Sequence, residues 1–212
     1  MEPTGTGLRE RKKQQTRDEI SAVATLLFAQ RGFEQVTIAE VAAAANVAKM
    51  TVTNHFPLKE DLVFDRHEQM VAALAKAVRE RHQGESVSES IRRAYAEALA
   101  AGDPTLGHLG VAFAEMVEAS PALLARELQI HVTREAVLAD ALIEEFSPAA
   151  DDLTPRIVAA QLAGAYRILY YEARRRLLAG HSVQELTSGL AKAAETAFDL
   201  VDADLGDYGR RS

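Results

Sequence analysis

The side chains best suited to chemistry in this 212-residue chain are few and scattered. His131 and Glu135 stand one helical turn apart. That spacing serves a metal ion, a general base with an orienting acid, or an i, i+4 ion pair, and the ion pair is the commonest of the three. His67, at helical spacing from Val63, Met70 and Leu74, is a second candidate base. Neither histidine is accompanied by a nucleophile motif, a phosphate-cradling glycine loop or a metal-ligand spacing. Cysteine is absent, which removes disulfides, thiolate metal sites and cysteine nucleophiles together. The chain is therefore not expected to be an enzyme, and no metal or cofactor is expected.

A second constellation is better placed. Lys49, Met50, Thr51, Thr53 and Asn54, with His55 beside them, fall on a short segment that follows another short helical segment across Ala45-Asn46-Val47. Ala42 is small where two such helices would cross, Asn46 tolerates the left-handed backbone of a tight turn, and Val52 and Phe56 point inward. This is a helix-turn-helix pattern, and it turns the polar side chains toward the base edges of a major groove.

The elements that must hold these residues are helical throughout. Ile20, Val23, Ala24, Leu27 and Phe28 follow the i, i+3, i+4, i+7, i+8 spacing of one buried stripe, and strand-like alternation is nearly absent. Thr16/Glu19, Thr37/Glu40, Ser86/Glu89 and Ser182/Glu185 have the spacing of capping boxes. Gly32 and Gly180 mark helix ends, and Pro104, Pro121 and Pro155 suit first turns. About nine helices result: 16–31, 37–44, 48–56, 58–83, 87–101, 104–118, 121–146, 155–179 and 182–204. The glycines between 102 and 110 can break the sixth, and the acidic tail from Asp202 to Ser212 is expected to fray.

Charge separates two regions. From Leu8 to Lys59 eight basic residues face five acids, whereas from His67 onward fifteen face twenty-two, within a net charge of −7. The basic footprint lies at the N-terminus alone, as expected where phosphate is met. The chain thus reads as a basic flexible arm (1–15), a helix-turn-helix domain (16–58) and a larger helical domain (59–212). No apolar run approaches a signal or membrane span, so a cytoplasmic protein without a membrane partner is expected.

Three quoted stretches together resemble the TetR family of bacterial regulators: Phe28-Ala29-Gln30-Arg31-Gly32-Phe33, Thr37-Ile38-Ala39-Glu40-Val41-Ala42, and Val47 through Leu62. The resemblance covers roughly residues 16–64. It implies an all-α fold, an N-terminal three-helix bundle with a C-terminal ligand-binding and dimerisation domain, and a double-stranded DNA operator as partner. It implies further that Thr37 and Lys59 grip phosphates at helix N-termini and that Arg9 to Lys13 reach along the backbone or into a minor groove. Three positions depart from the family pattern: its turn glycine is Asn46, its serine cap is Ala48, and its phosphate-contacting tyrosine is Thr53. Losing the cap oxygen costs about 1 kcal/mol.

Past Phe64 periodicity must speak for itself. Helix 155–179 is apolar almost all round from Ile157 to Tyr171, while 182–204 carries a solvent stripe of Glu185, Lys192, Glu195, Asp199 and Asp202. The first is expected to be covered on two sides. Ala159, Ala163, Gly164, Ala193, Ala194 and Ala197 would let helices approach closely, and the family resemblance makes this pair the homodimer interface. Polar groups on apolar stripes are the candidate ligand contacts: His67 with Met70, His131 with Glu135, Tyr166 and Tyr170, joined by Phe113 and Met116. The alternative for each is a core residue. The function read from the sequence is a repressor released from a pseudo-palindromic operator by a small-molecule effector, through a swing of the helix from Lys59 to Gln83. An activator of the same fold, or an interaction module that no longer reads DNA specifically, are the alternatives.

Overall fold

A computed structural model describes residues 5–211. Among these, nine α-helices follow one another: α1 (Gly5–Arg31), α2 (Ile38–Ala44), α3 (Lys49–His55), α4 (His67–Arg79), α5 (Val87–Ala100), α6 (Val111–Glu118), α7 (Pro121–Phe146), α8 (Thr154–Leu178) and α9 (Val183–Leu205). Short 3-10 turns lie at Lys59–Leu62 and Pro104–Leu106. No helix among the described residues is long and apolar enough to cross a membrane. The chain divides into two compact units. The first is residues 5–65 with 116–126, and the second is 66–115 with 127–211.

In the first unit the expected stripe of α1 buries Ile20, Ala24 and Phe28. Gly32, at φ 82°, turns the chain out of α1 and donates to Phe28 O at 2.8 Å. Phe33 then folds back onto Phe28, ring centroids 5.2 Å apart. Two expectations for α1 are corrected. It begins at Gly5 rather than Thr16, so most of the arm read as flexible is helical; its first four residues lie outside the described ones. Thr16 consequently does not cap anything: its hydroxyl donates to Lys12 O inside the helix.

The helix expected over 58–83 is also divided, because its early polar groups are used elsewhere. Asp61 accepts from the Leu58 backbone N–H at 3.1 Å, which tightens the segment into a 3-10 turn. The carbonyl of Asp65 accepts from Arg17 at 2.9 Å and its carboxylate accepts from Ser21 at 2.6 Å. Residues 116–126 complete this unit: Ser120 donates to Glu34 at 2.5 Å, and Arg126 pairs with the buried Asp61 at 2.7 Å.

In the second unit α5, α8 and α9 enclose one apolar core that includes Ile91, Leu99, Leu162, Leu169, Leu190 and Phe198. Tyr95 lies in its middle, 5.3 Å edge-on to Tyr166 and 6.1 Å from Phe198. The capping boxes at Ser86/Glu89 and Ser182/Glu185 form as their spacing predicts. The segment 104–118 does break: Asp103 caps Thr105 at 2.8 Å, Gly107 takes φ 87°, and a helix resumes at Val111. A side chain at Gly107 would meet the Tyr170 ring at 2.9 Å, so both backbone and space demand glycine there.

The tail is anchored, contrary to the expected fraying. Gly84 N–H donates to Arg211 O at 2.7 Å, Arg211 N–H returns to Glu85 O at 3.0 Å, and Val87 N–H donates to Tyr208 O at 3.1 Å. Tyr208 rests edge-on against Phe146 at 5.4 Å, and the buried Arg81 donates to Gly209 O. The acidic composition that suggested fraying is outweighed by the aromatic ring and by backbone groups paired to 84–87.

Candidate nucleic-acid interface and internal polar cluster

The helix-turn-helix is set by three local devices. Thr37 caps α2, accepting from Glu40 N–H, while the Glu40 carboxylate accepts from the Thr37 N–H at 2.8 Å. The Thr37 backbone, then Arg31 at 2.6 Å, then the Thr37 hydroxyl hold the Glu40 carboxyl down at about 2. Asn46 takes the turn at φ 53°, in the left-handed region expected of it. Val47 N–H then donates to Ala42 O at 3.0 Å. Ala48, the cap position before α3, offers no side-chain hydrogen bond, as its residue type dictates.

α3 buries Val52 completely, with Phe56 equally buried just beyond it. Its other side turns outward: Lys49 and Asn54 are exposed and Met50 is 67% exposed. Thr51, Thr53 and His55 are half-buried. Thr53 donates back to Met50 O at 3.1 Å, so its hydroxyl also serves its own helix. Burial, then the positive charges of Arg17 and Lys13, push the His55 pKa down. Arg17 ties the end of α3 to α1, donating to His55 O at 2.5 Å with its guanidinium 4.4 Å from the Phe56 centroid.

The two expected phosphate grips are engaged internally. Lys59 Nζ donates to Phe33 O at 2.6 Å and lies 4.1 Å from the Phe33 ring centroid. The Thr37 hydroxyl donates to Glu40 at 2.8 Å. Arg9, Arg11, Lys12 and Lys13 are exposed along the first turns of α1.

Of the candidate ligand contacts in the second unit, the structure gathers Met70, His131, Tyr166 and Tyr170 about a residue the sequence reading passed over, Arg134. Arg134 is the largest fully buried side chain. Its Nε donates to Met70 O at 2.7 Å, its Nη1 lies 3.2 Å from His131 Nδ1, and its guanidinium sits 4.9 Å from the Tyr166 centroid. The His131 ring is edge-on to Tyr170 at 5.0 Å and to Tyr171 at 5.4 Å. Burial, then Arg134, then Arg167, push His131 down to about 3, so the ring is neutral. Burial also drives the Tyr95 and Tyr170 hydroxyls upward and brings Tyr166 to about 12.

The remaining candidates lie outside this cluster. Glu135 is exposed, and His67 and Phe113 are half-buried in the same unit. Met116 belongs to the first unit. No group of three or more potential metal ligands occurs among the described residues. Beside the cluster, a cavity of 360 Å³ opens between α4 and α5, lined by Leu74, Ala77, Ile91, Ala94, Ala98 and Tyr166 together with the charged Lys76, Glu80, Arg93, Glu97 and Asp103.

An inserted turn, a second helix with its polar side outward and the exposed cations Arg9, Arg11, Lys12 and Lys13 on α1 define a helix-turn-helix DNA-binding module. Comparison with known proteins names the family. Residues 20–65 match the model of the bacterial regulatory proteins of the tetR family. The HTH-type transcriptional regulator TcmR of Streptomyces glaucescens is 31% identical over 176 residues, spanning 80% of this chain and 78% of the relative. The chain belongs to the TetR family, and is a DNA-binding regulator. The fold agrees with solved structures. A SmeT–triclosan complex shares 17% identity and a TM-score of 0.56 over 89% of this chain and 90% of that one. A putative TetR-family regulator from Mesorhizobium loti shares 16% and 0.52 over 90% and 96%.

Proposed function

We propose that the protein is a homodimeric repressor that holds a pseudo-palindromic operator through α3 and is released by a small-molecule effector bound in the second unit. The observation that carries this reading is the outward row of Lys49, Met50 and Asn54 on a helix whose opposite side is locked by Val52. Lysine donates to guanine and asparagine pairs bidentately with adenine in a major groove. Thr51, Thr53 and His55 flank that row. Thr37, Lys59 and the exposed cations of α1 would supply sequence-independent affinity. For Lys59 this requires exchanging Phe33 O for a phosphate oxygen.

Dimerisation is supported by an apolar row left open on α8. Ile157 is 55% and Ile168 61% exposed, and Gly164 between them faces open space. Val183 and Leu200 are similarly exposed on α9. Large apolar side chains in a row favour a partner of the same kind, and two recognition helices one DNA turn apart multiply affinity. Effector control is supported by the cavity and the internal polar cluster of the second unit. In SmeT, a protein of the same fold, triclosan is bound. The effector needs a coupling of only about 1–3 kcal/mol, and by reciprocity operator DNA must weaken effector binding equally.

The test is fluorescence anisotropy of the purified protein on duplexes tiled across the region upstream of its own gene, at two salt concentrations, with a scrambled control. Binding to one inverted repeat, steeply weakened by salt and lost in Lys49→Ala and Asn54→Ala, is expected. No preference among these tiles or among genomic fragments would sink the repressor reading and favour an interaction module.

A further inference from the structure

The hydrogen bonds around Arg134 leave an imbalance of one sign. A guanidinium has donors only, so His131 Nδ1 accepts from Arg134 and the ring proton sits on Nε2. Among the described residues, Arg134 Nη2 and His131 Nε2 then have no acceptor, and the Tyr95 hydroxyl has no partner. Both nitrogens are donors, and both are buried. The nearby buried carboxylate does not serve them: Glu127 is held by Arg174 through two bonds of 2.9 and 2.7 Å. Arg134 thus keeps a buried positive charge set against a backbone carbonyl, a neutral imidazole and the Tyr166 ring. A group so placed is costly unless something neutralises it.

The missing partner must be an acceptor, and a charged one satisfies both requirements at once. Tyr166 connects this deficit to the cavity, since its ring carries the Arg134 guanidinium and also lines the 360 Å³ space. The lining beside it is apolar at Leu74, Ala77, Ile91, Ala94 and Ala98, which suits a hydrophobic body, and it also carries the cations Lys76 and Arg93 and the carboxylates Glu80, Glu97 and Asp103.

We infer that the effector is an anion, a carboxylate or phenolate on an apolar body, whose oxygen docks against Arg134 and His131 while its body occupies the cavity bounded by Tyr166. This rests on the effector-responsive reading above. Movement of the Tyr166 ring admits the anion to the two donors.

The test uses the full-length protein and three probes: 2-naphthoate, 4-nitrophenol at pH 8, and the neutral 2-naphthamide. Binding is followed by isothermal titration and by the shift in melting temperature. At least one of the two anions should bind at least tenfold more tightly than the amide, and Arg134→Met should erase that preference. Which anion leads distinguishes a carboxylate from a phenolate effector. Arg134→Met is expected to keep its circular dichroism spectrum, because an apolar replacement relieves a buried charge. Should it not fold, Arg134→Lys is expected to retain the preference and His131→Leu to reduce it at least threefold. Equal binding of anion and amide, absence of saturable binding by both anions, or an unchanged preference in Arg134→Met or His131→Leu would overturn the assignment. Operator release separates the two levels: a neutral compound that releases operator in wild type and Arg134→Met alike leaves effector control standing and refutes the anion. Failure of every small molecule to release operator refutes effector control itself.

Discussion

Arg17 on α1 donates to the carbonyl oxygen of His55, the last residue of α3. The orphan carbonyls at a helix end need such partners, and here one is supplied by a charged side chain that also covers Phe56. Arg17→Leu is expected to destabilise the first unit by about 1–3 kcal/mol. Operator affinity should fall while the slope of affinity against salt stays unchanged, because positioning is lost rather than a phosphate contact. Urea denaturation and anisotropy at several salt concentrations measure the two effects. A shallower slope would show that Arg17 itself touches DNA.

Asn46 holds the inter-helix turn at φ 53°. A residue with a Cβ and no side-chain amide bears a cost there of about 1–2 kcal/mol. Asn46→Ala should therefore lower stability by that amount and Asn46→Gly should be neutral within about 1 kcal/mol. Equal melting temperatures for the alanine and wild-type proteins would show the turn to be unconstrained.

His131 gives the second unit a pH dependence whose sign is fixed by its surroundings. Its folded pKa, about 3, lies below the ordinary value of 6.5, so the unfolded chain binds the proton more readily. The stability contribution is present above about 6.5 and is lost as pH falls toward 3, at up to about 1.4 kcal/mol per pH unit. His131→Gln should flatten the decline of the urea midpoint between pH 7 and pH 5. An identical decline in the variant would assign the effect elsewhere.

The open row on α8 predicts a break in assembly. Ile168→Glu, or Ile157→Glu, should convert the dimer to monomer in analytical ultracentrifugation while leaving helical content intact, since both side chains are more than half exposed in the single chain. Operator affinity should drop at least tenfold with the loss of one recognition helix. A variant that stays dimeric would move the interface away from this row.

The sequence made much of the helix-turn-helix legible because each part rests on local chemistry: a hydroxyl and an acid three residues apart at Thr37/Glu40, an asparagine fit for a left-handed turn, and a stripe ending at Phe28. What it missed depended on distant partners. Nothing near Thr16 shows that α1 runs on past it, and nothing in 58–66 shows that Arg17 and Ser21 draw Asp65 away from a continuous helix. Arg17 itself stands one turn before Ile20 and Ala24 on the same stripe, a usable signal. Arg134 likewise occupies the apolar stripe of Ile130, Leu138 and Leu142. An arginine at such a position points to a buried charge, and weighing histidines and tyrosines alone hid it. The candidate ligand residues separated accordingly: those close to Arg134 came together, whereas Glu135, four residues past His131, is exposed.

The pairing of Asp61 with Arg126 spans 65 residues of chain. Protein synthesis proceeds from the N-terminus, so α2 and α3 are made long before the arginine that pairs with this buried aspartate. Until then Asp61, which also accepts from the Leu58 N–H, lacks this guanidinium. The turn at Lys59–Leu62 therefore gains this charge partner only after the chain has passed Arg126, so a product terminated before it lacks one of the ties that complete the first unit.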